Sequence, residues 1–235
     1  MLFLHEVHRV IGAREEEFEA AYRDGWMPAL GKGDDARLLY YLHLAHGTGR
    51  AYTVVTITAI RDGSAWEALA RRLHTGDLHD WLHEIETLRH DATAKVLLPV
   101  TWAPLGVDLN DIPVDDTHHP LTLFMEDTAW PHEGMLDDYL EAARGQYAPS
   151  LAEARHGRQS LLELRAVLQT AWGSGRPREV VLWQRVRHPE QVTNLITTEI
   201  PPEYRAPGTW MHDALRVRDD WESRLLRTTS WSPMY

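Results

Sequence analysis

The sequence predicts an α+β protein that contains two copies of one βαββαβ unit. The phrase TWAPL at residues 101–105 returns as SWSPM at residues 230–234, so both halves of the 235-residue chain end alike. Short alternating apolar runs, typical of strands, are separated by stretches with the three- and four-residue spacing of helices. Hydrophobic residues make up 43% and charged residues 25%, which suits a globular fold with a large buried core.

The internal repeat extends well beyond these closing phrases. The segment WLHEIETLRHD matches WMHDALRVRDD without a gap. This alignment pairs Trp81 with Trp210, His83 with His212, Arg89 with Arg218, and Asp91 with Asp220. Earlier blocks pair Glu6 with Asp127, Phe18 with Tyr139, and Trp26 with Tyr147. The spacing between partners grows along the chain, as expected when surface loops accept insertions. We therefore interpret the chain as a tandem duplication.

Both copies follow one order of predicted elements. In the first copy, strands are predicted at residues 2–10, 37–45, 52–60 and 97–101, a helix at 14–30, and a second helical region at 64–89 that is interrupted near Gly76. In the second copy, strands are predicted at 121–130, 161–171, 179–186 and 226–230, and a helix at 135–155. A second helical region is predicted to begin near Glu190, to break at PPEYRAPG and to resume at 209–224. The glycine-rich phrases AHGTG and AWGSG, each between two strands, are predicted to be hairpin turns.

The order βαββαβ is the ferredoxin-like arrangement. Such a unit leaves one face of its sheet uncovered, and two units can bury those faces against each other. We therefore predict two ferredoxin-like repeats packed sheet to sheet, as a single-chain pseudo-dimeric α/β barrel. The first repeat is predicted at residues 1–105 and the second at residues 120–235. Residues 106–119 are polar and acidic and contain proline, which predicts a linker.

Charge and residue counts exclude several classes of function. A net charge of −11 argues against nucleic acid and anionic membranes as partners. The absence of cysteine excludes disulfides, thiolate nucleophiles and cysteine-ligated metals. The first residues lack the pattern of a signal peptide, and no apolar run is long enough for a membrane span, so we expect a cytoplasmic protein. The run HDWLH has the histidine spacing of a zinc helix but lacks its glutamate, so no metal site is predicted.

Four short phrases suggest a family. They are LLYYLHLAHG, TWAPL, EVVLW and SWSPM, at residues 38–47, 101–105, 179–183 and 230–234. With the order of elements, they resemble the NIPSNAP family of the dimeric α/β-barrel superfamily. The resemblance implies the barrel fold, in a superfamily that includes cofactor-free monooxygenases, polyketide cyclases and heme proteins, and the fold does not choose among them. The duplicated chain and the composition of the first strand depart from the family pattern.

Glu6 and Asp127 are candidate catalytic bases because they occupy the same place in the first strand of each copy. A carboxylate on an inward strand face has a raised pKa and can take a proton from a substrate. The alternative is that both side chains face solvent or pair with an arginine such as Arg9.

His43 and His46 are the other candidate catalytic residues, and neither has a histidine counterpart in the second copy. Their separation of three positions places them on opposite faces of a strand, so one of them can line a pocket in the first half. A histidine beside aromatic rings suits proton abstraction from a phenol or an enolisable ketone, and it can also ligate heme. A structural or surface histidine is the alternative.

A pocket between the sheet and its covering helices would be apolar with a few polar groups. The predicted ligand-binding residues are Trp26, Tyr41, His83, Trp172 and His212. The alternatives are that the aromatic rings fill the core and that the histidines lie on solvated helices.

Three functions stay open at this point. The first, which we favour, is an enzyme of secondary metabolism without a tightly bound organic cofactor. It would act on an aromatic or polyketide-like metabolite, as a cofactor-independent monooxygenase or a cyclase. The second is a heme-binding protein, and the third is a ligand-binding protein without catalysis. The expected partner is a small apolar or aromatic molecule, and pairing of two such chains as a homodimer is a further option.

Overall fold

The computed structural model describes residues 1–115, 117–152, 160–173 and 177–235, which form eight strands and eight α-helices. The strands are β1 Leu2–Val10, β2 Ala36–Leu44, β3 Thr53–Ile60, β4 Arg89–Pro99, β5 Leu123–Trp130, β6 Leu162–Thr170, β7 Val180–Val186 and β8 Asp220–Thr228. The helices are α1 Glu15–Ala20, α2 Met27–Gly31, α3 Gly63–Thr75, α4 His79–Thr87, α5 Leu136–Ala142, α6 Ala148–Ala152, α7 Val192–Thr197 and α8 Trp210–Asp213. The π-helical segments Ala21–Trp26 and Ala143–Tyr147 continue α1 into α2 and α5 into α6.

Contacts divide the chain into two compact units whose limits differ from the predicted repeat boundaries. Unit one contains residues 1–98, 106–122 and 225–235, and unit two contains residues 99–105 and 123–224. Residues 106–119, predicted to be a linker, belong to unit one, where Leu109 and Ile112 are buried. The closing phrase of each repeat therefore belongs to the unit that the other repeat forms.

The sheet of unit one has the strand order β4, β1, β3 and β2, and the end of β8 pairs with β2. In β1, which pairs antiparallel with β3 and β4, Glu6 lies opposite Thr56 and Ala94. Side chains alternate between the two faces of a strand, so Glu6 and His8 share one face with Val10. Val10 packs in the core with residues of the covering helices. Glu6 and His8 therefore lie on the side of the sheet that the helices cover.

Unit two repeats this arrangement. Its strand order is β8, β5, β7 and β6, and Asp127 of β5 lies opposite Leu182 of β7. Asp127 shares a strand face with Ala129, which packs in a core with Tyr139 and Tyr147 of the covering helix. Both candidate carboxylates thus lie between a sheet and its helices.

The predicted fold class, α+β with two ferredoxin-like repeats, is confirmed. Gly47 and Gly173 have φ angles of 81° and 82°, as expected for the predicted turns. The last two residues of AWGSG and the predicted helix end at residue 155 lie outside the described residues.

The ends of both repeats were predicted wrongly. The predicted helix at 209–224 ends early, because β8 already begins at Asp220, and β4 begins at Arg89 rather than at residue 97. Most side chains at the start of these strands are exposed and polar, so they show no hydrophobic alternation. Backbone pairing with the first strand of the repeat stabilises such a strand, and that pairing leaves no mark in the sequence.

The second helical regions of the two repeats differ most. Helix α3 is 13 residues long and buries Ala65 and Leu69 in the core of unit one. Its counterpart α7 has six residues, none of which is buried. Within the described residues, none of the helices combines the length and the apolarity needed to cross a bilayer.

Gly25 offers a test of the packing in unit one. A Cβ atom at this position would lie 2.1 Å from Cζ3 of Trp81, so a side chain requires the indole ring to move. We expect Gly25→Ala to lower the free energy of unfolding by about 1–3 kcal/mol. Gly145 lies in the matching π segment of unit two, where a Cβ would meet nothing within 4 Å. Gly145→Ala should raise stability by about 0.5–1 kcal/mol. Equal shifts of the urea unfolding midpoint in both variants would contradict the close contact between Gly25 and Trp81.

Candidate active site

Each unit holds one carboxyl group between the sheet and its covering helices. These are Glu6 in unit one and Asp127 in unit two, the pair that the internal repeat aligns. Burial raises the pKa of Glu6, and the nearby Arg89 opposes that rise. Burial likewise raises the pKa of Asp127, and the nearby polar groups of Ser223 and Gln184 oppose that rise. A carboxylate with a raised pKa is the form that suits a general base.

In unit one, His8 connects Arg89 to the hydroxyl groups around Glu6. A guanidinium nitrogen of Arg89 lies 2.7 Å from Nδ1 of His8. Because arginine only donates hydrogen bonds, Nδ1 is the acceptor and the proton of the neutral ring lies on Nε2. That Nε2 lies 3.0 Å from Oγ1 of Thr56 and 3.3 Å from the hydroxyl of Tyr22. Burial and the charge of Arg89 lower the pKa of His8 well below its usual value, so the ring stays neutral.

Glu6 stands at the end of this polar chain. The hydroxyl of Thr56 donates to Oε2 of Glu6 over 3.5 Å, a long contact for an O–H donor. Arg89, His8, Thr56 and Glu6 thus form one sequence of polar contacts inside the first repeat. Tyr22 covers it, and burial raises the pKa of this phenol beyond its ordinary range, so Tyr22 stays protonated.

In unit two, an amide holds the carboxylate. Nε2 of Gln184 donates to Oδ2 of Asp127 over 2.8 Å. The hydroxyl of Tyr147 donates to Oε1 of the same Gln184. Oδ1 of Asp127 is buried and has no hydrogen-bond partner among the residues that the structure describes. Asp127 therefore presents one held oxygen and one oxygen that can accept a proton.

Arg218 supplies the positive charge beside Asp127. The residue is only 8% exposed, and its guanidinium lies 5.8 Å from the ring centre of Trp210 and 5.4 Å from that of Trp221. Stacking between two indoles holds a cation in a largely desolvated place. Burial raises the pKa of Tyr139 to about 12, the charge of Arg218 opposes that rise, and Arg218 also acts electrostatically on Asp127. A cation and a phenol hydroxyl that act on the same base can stabilise an oxyanion that forms on a substrate.

A cleft of about 1120 Å³ opens in unit two, along the region of α7. Its apolar lining includes Leu195, Ile200, Met211 and Trp221, all of which are exposed. Trp221 and Ser223 lie two positions apart in β8, so they share a strand face. Ser223 lies close enough to Asp127 to lower its pKa, so Trp221 is the part of the cleft lining that lies nearest to the carboxylate along β8. The short α7 leaves this space open, whereas α3 and α4 fill the corresponding region of unit one.

The two sites share a design that sequence reasoning partly missed. Each contains a carboxylate from the first strand, an arginine near the start of the last strand and a tyrosine from the first helical region. The missed residues are Tyr22, Arg89, Tyr139, Tyr147, Gln184 and Arg218. The signal for the arginines was available, because the repeat aligns Arg89 with Arg218 as well as Glu6 with Asp127.

Three of the predicted residues lie near this site in unit one. His43 has its ring nitrogens 3.3 Å from carboxylate oxygens of Glu15 and Glu19, and its ring contacts that of Tyr41. Tyr41 is buried, with its ring centre 5.4 Å from that of Tyr22. Trp26 is buried in the same aromatic core. Their predicted catalytic and ligand-binding roles remain predictions.

The other four predicted residues are not brought to either carboxylate. His46 lies exposed in the turn after β2. The side chain of His83 is 62% exposed beside Glu86, and His212 pairs with Asp213 on the surface. Trp172 is 88% exposed and lies under Arg178. A turn or a solvated helix face directs each of these side chains toward water, and their roles likewise remain predictions.

The two ring nitrogens of His8 and those of His43 are all contacted by neighbouring side chains. Neither ring offers a free nitrogen to a heme iron in this arrangement. Within residues 1–115, 117–152, 160–173 and 177–235, no three histidine, aspartate or glutamate side chains gather in a way that could hold a metal ion.

Comparisons with known proteins show a likeness in fold. No family model matches the chain, and no curated protein matches it. A solved structure of an anthrone oxidase-like protein superposes with a TM-score of 0.59 at 10% identity, over 97% of this chain and 91% of that chain. A candidate monooxygenase from Lactobacillus acidophilus superposes with a TM-score of 0.58 at 12% identity, over 99% of this chain and 96% of that chain. The whole chain therefore shares the fold of these proteins, in agreement with the predicted fold class.

Proteins with a NIPSNAP domain are also among the matching structures. One from Burkholderia xenovorans is 22% identical, over 44% of this chain and 99% of its own, with a TM-score of 0.38.

Proposed function

We propose that this protein is a cofactor-free monooxygenase that oxidises an activated methylene group of a flat aromatic ketone, with Asp127 as the base. The observation that carries the proposal is the state of Asp127. One of its oxygens is held by Gln184, the other is buried without a partner, and burial raises its pKa. Such a carboxylate is suited to take a proton from a weakly acidic C–H group.

The neighbours of Asp127 support the same reaction. When Asp127 takes a proton from the methylene group, the electron pair left on carbon spreads onto the ketone oxygen. Arg218, whose charge acts on Asp127, and Tyr139, whose burial keeps the phenol protonated, would supply the positive charge and the O–H donor that stabilise this enolate. In a site from which most water is excluded, such preorganised donors contribute strongly to lowering the barrier.

Dioxygen is the co-reactant. The enolate passes electrons to dioxygen and a C–O bond forms, which gives a peroxide on the former methylene carbon. The remaining C–H bond then breaks together with the O–O bond, and water leaves. One oxygen atom of dioxygen ends in the new ketone and the other in water, so R₂CH₂ and O₂ become R₂C=O and H₂O. Asp127 takes the first proton and returns it to the departing oxygen, and the proton from the second C–H bond completes the water molecule.

The cleft suits a substrate of this class. A volume of about 1120 Å³ exceeds what a three-ring aromatic molecule requires, and its apolar walls favour a flat apolar ligand. The likeness in fold to a protein named anthrone oxidase-like makes anthrone, a three-ring ketone with an activated methylene, the first compound to test. Such an oxidation would belong to the secondary metabolism of aromatic polyketides.

The purified protein should consume dioxygen in the presence of anthrone and release anthraquinone in equal amount. An oxygen electrode and the absorbance of the quinone measure both sides of the reaction. Quenching of tryptophan fluorescence by anthrone without dioxygen uptake would instead favour a ligand-binding protein. A Soret band in the protein purified from cells would overturn the cofactor-free mechanism in favour of heme chemistry.

A further inference from the structure

Gln184 lies between a phenol and a carboxylate and is completely buried. Its Oε1 accepts from the hydroxyl of Tyr147, and its Nε2 donates to Oδ2 of Asp127 over 2.8 Å. A buried amide without partners costs free energy, and here both ends of the side chain are used. This arrangement therefore serves the carboxylate as well as the packing of the core.

The orientation of the amide is determined by its two neighbours. If the amide were turned over, Oε1 would face Oδ2 of an ionised Asp127, and two acceptors would meet at hydrogen-bond distance. Burial keeps the pKa of the Tyr147 phenol well above its usual value, so this hydroxyl keeps its proton and can donate to Oε1. Both contacts thus favour the orientation in which the N–H group faces Asp127.

We propose that Gln184 is a positioning residue, which the Tyr147 hydroxyl orients so that it holds Oδ2 of Asp127 and leaves Oδ1 as the oxygen that takes the substrate proton. The catalytic meaning of this role rests on the proposed function. Unit one contains no equivalent for its own carboxylate in the described contacts, since the side-chain donor to Oε2 of Glu6 is Thr56 at 3.5 Å. The amide thus distinguishes the second repeat from the first.

The test measures the ionisation of Asp127 directly, by ¹³C NMR of its carboxyl carbon in protein labelled at aspartate and glutamate. In Gln184→Met the carboxylate loses a donor that favours its charged form, so its pKa should rise by about one unit. Tyr147→Phe should move the same pKa in the same direction by less, because the amide stays but is no longer oriented. The Glu6 carboxyl, in unit one, should titrate as in the unchanged protein.

Gln169→Met is the matched control, because Gln169 lies on β6 of the same unit and makes no described contact with Asp127. It should leave the pKa of Asp127 unchanged. With anthrone as substrate, kcat falls on the acid side of its pH profile. In Gln184→Met this fall should occur at a higher pH, in step with the pKa measured by NMR, whereas in Gln169→Met it should occur at the same pH as in the unchanged protein.

The two proposals fail in different ways. A shifted Asp127 pKa in Gln184→Met, with no oxidation of anthrone by the unchanged protein, would support the positioning role and overturn the proposed function. Oxidation of anthrone with an unshifted pKa in both Gln184→Met and Tyr147→Phe would overturn the positioning role alone. Tyr147→Phe keeps the test decisive if Gln184→Met does not fold.

Discussion

Replacing Asp127 with asparagine should lower kcat for the oxidation of anthrone by about 10²- to 10⁴-fold, the usual contribution of a general base. The amide keeps the size of the side chain but cannot take a proton. Since the ionised form is the base, activity of the unchanged protein should be lost as the pH falls through the raised pKa of Asp127. The variant should lose this acid limb together with its activity.

Stability should move in the opposite direction from activity. Burial raises the pKa of Asp127 in the folded protein, so the group favours folding while it is protonated and opposes folding as the pH rises through that pKa. At neutral pH, Asp127→Asn should therefore not lower the melting temperature. Asp138→Asn is the control, because it makes the same change at an exposed position of α5. Equal turnover by the two variants would remove Asp127 from the mechanism.

The largest effect on stability is expected at Arg72, with Arg72→Ala lowering the free energy of unfolding by about 3–5 kcal/mol. Its guanidinium lies 2.8 Å from Asp35, bonds the carboxylate of Asp77, and donates to the backbone carbonyls of Ala29 and Leu30. Asp35 is only 8% exposed, so it would be left as a buried charge without its cation. Urea titration followed by circular dichroism measures the loss.

The neighbouring residue provides the control for this experiment. Arg71 is well exposed and makes one ion pair, with Glu67 at 2.6 Å. Exposed pairs of this kind contribute about 0.2–1 kcal/mol, so Arg71→Ala should change stability by no more than that. Similar losses in both variants would show that Arg72 does not act as a junction between α2, α3 and the start of β2.

Part of the candidate site could be predicted because equivalent residues occur in both repeats of the chain. Glu6 and Asp127 recur at one place in the first strand, which identified the two carboxylates. Arg89 recurs with Arg218, so the same signal was available for the arginines, although they were not predicted as site residues. Gln184 has no such signal, since its importance comes from the two groups that it touches. Trp172 was predicted to bind a ligand because of its residue type, but residue type does not show whether a side chain faces a pocket or water.

The sequence by itself determined the α+β class, the two βαββαβ repeats and the position of the two carboxylates, because hydrophobic periodicity and self-similarity are local properties of a chain. Only the tertiary structure decided where the last strands begin, that His8 is a neutral acceptor for Arg89, and that one oxygen of Asp127 is held while the other is not. It also decided that the cleft opens in unit two, along a helix with no buried residues. These features depend on distances between residues far apart in the chain, and hydrogen bonds, burial and pKa follow those distances.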